Sequence, residues 1–303
     1  MRWNRILDAL NPYGWVLQLR HVLYRTGVLP SAERQVICVG NLTVGGTGKT
    51  PMVEYIVARL LSQERPVAVL SRGYGRKGKS FRYVEIGDPV SLCGDEPLQM
   101  KRRFPDIPVA TCVNRIAGID RLHKDYGPSL TVVLDDALQY LGLRASCNIL
   151  LEDYARPIDN DCLLPWGRLR DLRSAAARAH YRVITKCPAS FFAEAAPSVT
   201  STGMERHYAT LHYEDLPLQE GASVLLVTGI ANPRPLVEHL QTLYKIEKHL
   251  VFADHHFFSD KDIARIAALL AAHPGWFLVT TQKDDVRLRF LPAFAVRVFV
   301  EVK

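Results

Sequence analysis

The chain has 303 residues, 48% of them hydrophobic and 23% charged, with a formal charge of +7 and a pI near 9.1. That length holds two cores, or one large α/β domain with an appendage, and the composition excludes a disordered chain. The positive balance points to an anionic partner (a nucleotide, a nucleic acid or an acidic membrane surface) without choosing among them.

Six cysteines, at 38, 93, 112, 147, 162 and 187, form no C-x-x-C pair. This speaks against a zinc site and, at this length, against a disulfide framework; reduced, mostly buried thiols are expected. No apolar run reaches the roughly eighteen residues of a membrane span. The start is no signal peptide, because Arg5, Asp8 and Arg20 interrupt its apolar stretches and no small-residue cleavage site follows.

Residues 1–30 read as two short helices broken at Asn11-Pro12. In the second, Val16, Leu19 and Leu23 form a stripe with Trp15 and Val22 beside it, while Gln18, His21 and Arg25 line the other face. Trp3, Tyr13, Trp15 and Tyr24 interleave with Arg2, Arg5, Arg20 and Arg25. Such a pattern suits the headgroup layer of a membrane, and equally a helix packed on the protein.

Next, "RQVICVGNLTVGGTGKTPMVEYIVARLLS" reads strand, loop, helix. Val36 to Val39 is a buried-strand run, and Val53, Ile56, Val57 and Leu60 recur at helical spacing. Between them, Thr43-Val44-Gly45-Gly46-Thr47-Gly48-Lys49-Thr50 matches the phosphate-loop pattern except at its first position, where Thr43 replaces glycine. Gly45, Gly46 and Gly48 let backbone N–H groups approach phosphate oxygens, and the helix N-terminus adds positive potential. Lys49 offers a charge to the β/γ-phosphates, and the Thr50 hydroxyl a ligand to Mg²⁺.

Further on, "PVAVLSRGYG" is a strand entering a loop, "DEPLQMKRRF" begins a helix, "IPVATC" is a short strand and residues 115–125 are a helix. "LTVVLDDALQY" is the strongest strand pattern, and it ends in Asp135 and Asp136, where such folds hold the nucleotide's metal. "CNILLED" and "YRVITKC" add two short strands. This alternation implies a P-loop NTPase-like α/β fold: a mostly parallel sheet with helices on both faces. From about residue 218 the pattern starts afresh as a smaller α/β unit. The expected division is 1–30, amphipathic membrane-associating helices; 31–217, the phosphate-loop domain; and 218–303, a smaller domain closing over the site.

Phosphoryl transfer to an alcohol benefits from a base at the acceptor hydroxyl. Asp95 and Glu96 of "CGDEPLQM" read as that base or as helix-start carboxylates. Asp254, His255 and His256 of "FADHHFFS" read as catalytic, structural or metal-binding. Arg168, Arg170, Arg173 and Arg178 suit phosphate recognition or a solvated helix face. The basic residues flank the presumed nucleotide site without forming an aromatic-studded groove, which argues against a nucleic-acid module.

In order along nearly the whole chain, "VGNLTVGGTGKTP", "SRGYGRK", "GDEP", "LDDALQY", "LLPWGRLRD", "ITK", "FADHH" and "TTQKD" resemble the tetraacyldisaccharide 4'-kinase family of lipid A biosynthesis. Members of that family share the atypical position occupied here by Thr43. The resemblance implies ATP and Mg²⁺ as cofactors and phosphorylation of the 4'-hydroxyl of a lipid A disaccharide 1-phosphate. It places the work at the cytoplasmic face of the bacterial inner membrane, on its anionic surface, with no obligate protein partner. It implies nucleotide binding by residues 43–50, metal binding by Thr50, Asp135 and Asp136, and Asp95 as the acceptor's base, paired with His255. Arg115 and Arg170 would contact the lipid, with Tyr74, Glu96, Tyr140 and Asp171 completing the acceptor site.

The chain departs from the family where the acceptor binds. Asp-Asp-Gly-Phe-Gln-His is usual, whereas Ala137, Leu138 and Tyr140 stand here, so a lipid-binding histidine becomes a tyrosine. Leu-Arg-Glu-Pro becomes Leu169-Arg170-Asp171-Leu172. Two other readings compete: a membrane-associated P-loop ATPase switch and a P-loop kinase for another acceptor. Switch-type relatives often carry a lysine where Val44 stands, and a soluble acceptor would not need the amphipathic start.

Overall fold

The structure, a computed structural model, describes residues 7–8, 10–200, 203–288 and 291–303. Arg2, Trp3 and Arg5 of the first expected helix lie outside the described residues. A large sheet is built from β1 (Ala32–Asn41), β2 (Val67–Ser71), β3 (Arg82–Tyr83), β4 (Val109–Thr111), β5 (Thr131–Asp135), β6 (Leu143–Asp153), β7 (Tyr181–Thr185), β8 (Ser198–Val199) and β9 (Glu205–Tyr213). A second contains β10 (Ser223–Thr228), β11 (Lys245–Val251), β12 (Phe277–Thr281) and β13 (Phe294–Val296). The last strand, β14 (Val298–Val302), returns to the large sheet against β9.

The large sheet runs β14-β9-β7-β6-β1-β5-β2-β4-β3, with β8 on β9. Its pairings between β9 and β4 are parallel; β3, β8 and β14 join antiparallel. The second sheet, β11-β10-β12-β13, is parallel. The chain thus adopts the expected mostly parallel α/β architecture. β9 and β14, which the sequence does not announce, pair beyond β7. Polar residues fill most of β9 ("ERHYATLHY"), so its strand periodicity is masked.

Side-chain alternation in the central strands sorts two cores. Val36, Cys38, Leu70, Val132 and Leu134 point to one face, and Val39, Val67, Val69 and Val133 to the other. The second face is covered by α2 (Lys49–Ser62) through Met52, Val53, Ile56, Val57 and Leu60, with Val300 of β14 in the same core. Each such side chain contributes about 1.5–3 kcal/mol by leaving water.

On the first face lies α1 (Pro12–Arg25), with Asn11 capping its start by accepting from the Tyr13 N–H (3.0 Å). It meets the protein along Gly14, Leu17 and His21. A β-carbon at Gly14 would stand 3.0 Å from Leu163 and 3.1 Å from the Asp8 carbonyl, so a side chain here would press on both. Trp15, Val16, Leu19 and Val22 remain exposed, Val16 at 64%. The helix is therefore both packed on the protein and apolar toward solvent. No helix among the described residues is long and apolar enough to cross a membrane.

Helices α3 (Asp95–Arg103), α4 (Arg115–Tyr126) and α7 (Gln282–Asp285) carry candidate site residues, while α5 (Arg234–Leu243) and α6 (Asp260–Ala272) cover the second sheet. Asn114 caps α4, Ser259 and Asp262 form a capping box on α6, and Thr281 caps α7.

Candidate active site

The phosphate loop is the turn between β1 and α2. Gly45 and Gly48 hold φ at 102° and 81°, where a β-carbon is disfavoured, and Gly48 is the N-cap of α2. The helix's first N–H groups, which lack intrahelical partners, thereby open onto the loop. Thr43 has a different task. It forms a bridge with Leu169, flanked by bonds from the Val44 N–H to the Arg168 carbonyl and from the Arg170 N–H to the Leu42 carbonyl, both 2.8 Å. Extended pairing of this kind asks for no glycine.

The loop is braced from below. The Asn41 amide donates to the Thr47 hydroxyl (2.8 Å), and the Thr185 hydroxyl donates to the Thr47 carbonyl (2.9 Å). Lys186 donates to the Gly46 carbonyl and to Asp153 (2.7 Å).

Strand β5 delivers both aspartates beside β1, Asp135 pairing with Val39. Asp135 is buried, and its Oδ1 has no hydrogen-bond partner among the described residues. Burial, then the charges of Glu96 and Asp136, raises its pKa. Burial opposes ionisation of Asp136 as well, but Lys49, Arg170 and Arg115 outweigh it and hold this carboxyl below the usual range. Arg170 grips both Asp136 oxygens and donates to Asn41 Oδ1 (2.6 Å), linking the strand-end carboxylate to the loop. Among the described residues no group of three or more His, Cys, Asp or Glu converges. The orphaned Asp135 oxygen fits a hard cation such as Mg²⁺.

Asp95 is the first residue of α3 and is buried. Its Oδ2 lies 2.8 Å from His255 Nδ1 and 3.2 Å from Arg287 Nη2, while Oδ1 accepts from the Glu96 N–H (3.1 Å). Burial alone would raise the Asp95 pKa. The hydrogen bond from His255, with the charges of Arg287 and Lys283, prevails and lowers it. Glu96 goes the other way: burial and the neighbouring Asp95 raise it against the pull of Lys283 and Lys49.

His255 sits in the loop after β11 with φ at 59°, its N–H bonded to the Gly229 carbonyl (3.1 Å). Its Nε2 lies 2.8 Å from Lys283 Nζ on α7. Buried Asp284 accepts from the Gly229 N–H (2.9 Å) and the Thr281 hydroxyl (2.7 Å) and lies 3.4 Å from Arg287. It ties together the segments that present His255 and Arg287. Tyr74 is 74% exposed, its ring centroid 6.2 Å from that of His255.

Arg115 is buried, donating to the Cys112 and Val113 carbonyls, with its guanidinium 5.7 Å from the Tyr140 ring centroid. The Tyr140 hydroxyl donates to Asn114 Oδ1 (3.3 Å). Asp171 is drawn elsewhere. Buried under α1, it lies 2.6 Å from His21 Nε2 and accepts from the Leu172 N–H (2.8 Å), with Arg178 at 3.5 Å. Helix α1 also donates to this region from the Tyr13 hydroxyl to the Arg170 carbonyl (2.8 Å) and from Arg20 to the Gln139 carbonyl (2.6 Å).

Asn41, Thr185, Lys186, Lys283, Asp284 and Arg287 escape assignment from the sequence. "ITK" and "TTQKD" mark four of them, but only their contacts reveal what they touch.

A family model described as tetraacyldisaccharide-1-P 4'-kinase matches residues 5–303. The chain is 39% identical to a protein of Phocaeicola vulgatus named tetraacyldisaccharide 4'-kinase, over 95% of this chain and 86% of that one. A Flavobacterium johnsoniae protein of the same name is 37% identical, over 91% and 85%. A crystal structure described as the "apo" form of LpxK from Aquifex aeolicus in complex with ATP superposes with a TM-score of 0.76 at 28% identity, covering 96% of this chain and 92% of that one.

Proposed function

This chain belongs to the tetraacyldisaccharide-1-P 4'-kinase family, and on that premise we propose how its residues carry out the phosphoryl transfer. The chain is a phosphotransferase of lipid A biosynthesis, acting at the 4'-position of a tetraacyldisaccharide 1-phosphate. The observation that carries the mechanism is the 2.8 Å contact between buried Asp95 and His255, in a chain whose phosphate loop ends in Lys49-Thr50.

ATP, named in the description of the Aquifex aeolicus structure, is the donor, with its phosphates over residues 43–50. Thr50, Asp135 and Asp136 would hold Mg²⁺, which when bound neutralises charge on the phosphate oxygens. Lys49 stabilises the transferred group, and Asp95 takes the acceptor's hydroxyl proton. Because His255 and Arg287 both occupy Oδ2, Oδ1 is the oxygen that receives it.

Arg115, Arg170, Tyr74, Glu96 and Tyr140 line the acceptor side, the Tyr140 hydroxyl standing in for the family's histidine. Asp171 serves indirectly, by seating α1 beside Arg170. The exposed face of α1 lies on the anionic inner-membrane surface at its cytoplasmic side, where the lipid resides. In this reading, residues 31–217 supply the nucleotide site and 218–303 bring His255 to it.

Incubation with labelled ATP and the disaccharide 1-phosphate lipid, beside a lipid-free control, tests the reaction. Labelled lipid is the expected product; ATP hydrolysis without it would favour a switch ATPase.

A further inference from the structure

We propose that Lys283 is a positioning residue that selects the tautomer of His255, so that the imidazole is a neutral Nδ1–H donor to Asp95. This deepens the reading of Asp95 as the acceptor's base and rests on it. An ammonium group has three donors and no acceptor. With Lys283 Nζ 2.8 Å from His255 Nε2, that nitrogen must therefore accept, which leaves the ring proton on Nδ1, 2.8 Å from Asp95 Oδ2.

The opposite tautomer finds no such support. A proton on Nε2 would need an acceptor, and the nearby Asp254 Oδ1 stands 4.0 Å away, beyond hydrogen-bond reach. That carboxylate lies closer to Lys283, at 3.5 Å, and keeps the ammonium paired. The Nδ1 lone pair would then face the Asp95 carboxylate and repel it. The remaining groups facing this cluster are Arg287, 3.2 Å from Asp95 Oδ2, Glu96, and the Tyr74 ring. The backbone of His255, held at φ 59° by its bond to Gly229, fixes where the ring starts.

The choice matters for a base. A neutral donor orients Asp95 without placing a second full cation against it, which would weaken its pull on the hydroxyl proton. Lys283 thus acts on the acceptor's base through His255, without touching the reacting atoms.

The test is ¹⁵N NMR of the whole, histidine-labelled chain without ligands, with the His255 signals assigned by their loss in His255→Gln. The expected wild-type pattern is a protonated Nδ1 and an unprotonated Nε2. Lys283→Met should abolish that pattern and lower kcat about 10–100-fold, as loss of an orienting partner does, with KM for ATP changed less than about twofold. Lys283→Arg, which can also donate, should keep the pattern and most of kcat. An imidazolium or Nε2–H pattern in the wild type, or an unchanged pattern in a folded Lys283→Met protein, overturns the proposal. Should Lys283→Met fail to fold, Lys283→Gln, a neutral donor, replaces it and should retain the Nδ1–H pattern; loss of the pattern there also counts against the tautomer role. If Asp95→Asn retains full kcat, the base reading falls while the tautomer assignment stands.

Discussion

His255 Nδ1 lies 2.8 Å from Asp95 Oδ2, although 160 residues separate them in the chain. One begins a helix beside the large sheet and the other closes the loop after β11 of the second sheet. The pair exists only because α3 and α7 pack against each other, and the buried Arg287–Asp95 contact at 3.2 Å secures that meeting.

Asp95→Ala should lower kcat by about 10²–10⁴-fold, the usual worth of general-base catalysis. His255→Gln should cost less, and the double variant little more than Asp95→Ala, because the histidine acts through the aspartate. Steady-state kinetics with lipid acceptor decide it; additive losses would separate the two residues.

Arg170→Ala should impair transfer, because it strips Asp136 and Asn41 of the same partner at once. Arg170→Lys should recover little, since an ammonium cannot span both Asp136 oxygens. A lysine variant with wild-type kcat and KM for both substrates would show the fork to be dispensable.

The lowered pKa of Asp95 predicts a pH-dependent stability. The folded carboxyl releases its proton below the unfolded value of about 3.9, so its stabilising share is full above that pH. It is lost as the pH falls through the folded pKa. Urea unfolding should therefore show the wild-type advantage over Asp95→Asn constant above about pH 4 and shrinking as the pH falls below it; a gap that stays constant into acid refutes the ionised pairing.

Val16→Glu with Leu19→Glu should weaken binding to anionic vesicles by roughly tenfold or more per residue, given the transfer energy of each exposed side chain. Phosphorylation of detergent-dispersed acceptor should persist. Unchanged vesicle partitioning would place the attachment elsewhere.

Asp171→Ala should free α1 from its seat, because His21, Arg178 and the Leu172 N–H lose their shared acceptor. A cost of about 1–3 kcal/mol is expected for removing this buried acceptor from its half-buried partners. Limited proteolysis should cut near residues 25–30 sooner than in the wild type; identical digestion would show that Leu17 and Asn11 suffice.

What the sequence determined by itself is local. Strand, glycine loop and helix follow one another within about thirty residues, so periodicity and the Gly-Lys-Thr signature reveal the nucleotide machinery without any long-range contact. The apolar face of α1 was equally legible, because helical spacing alone defines it. Tertiary structure decided which of those features meet. It turned Thr43 toward Leu169, buried Asp171 beneath a helix whose polar-face His21 reaches it, and brought Lys283 and Arg287 to the Asp95–His255 pair. No spacing rule encodes these contacts, because they arise where two separately wound sheets and a packed N-terminal helix abut. There the charge of one element is compensated only by residues far along the chain.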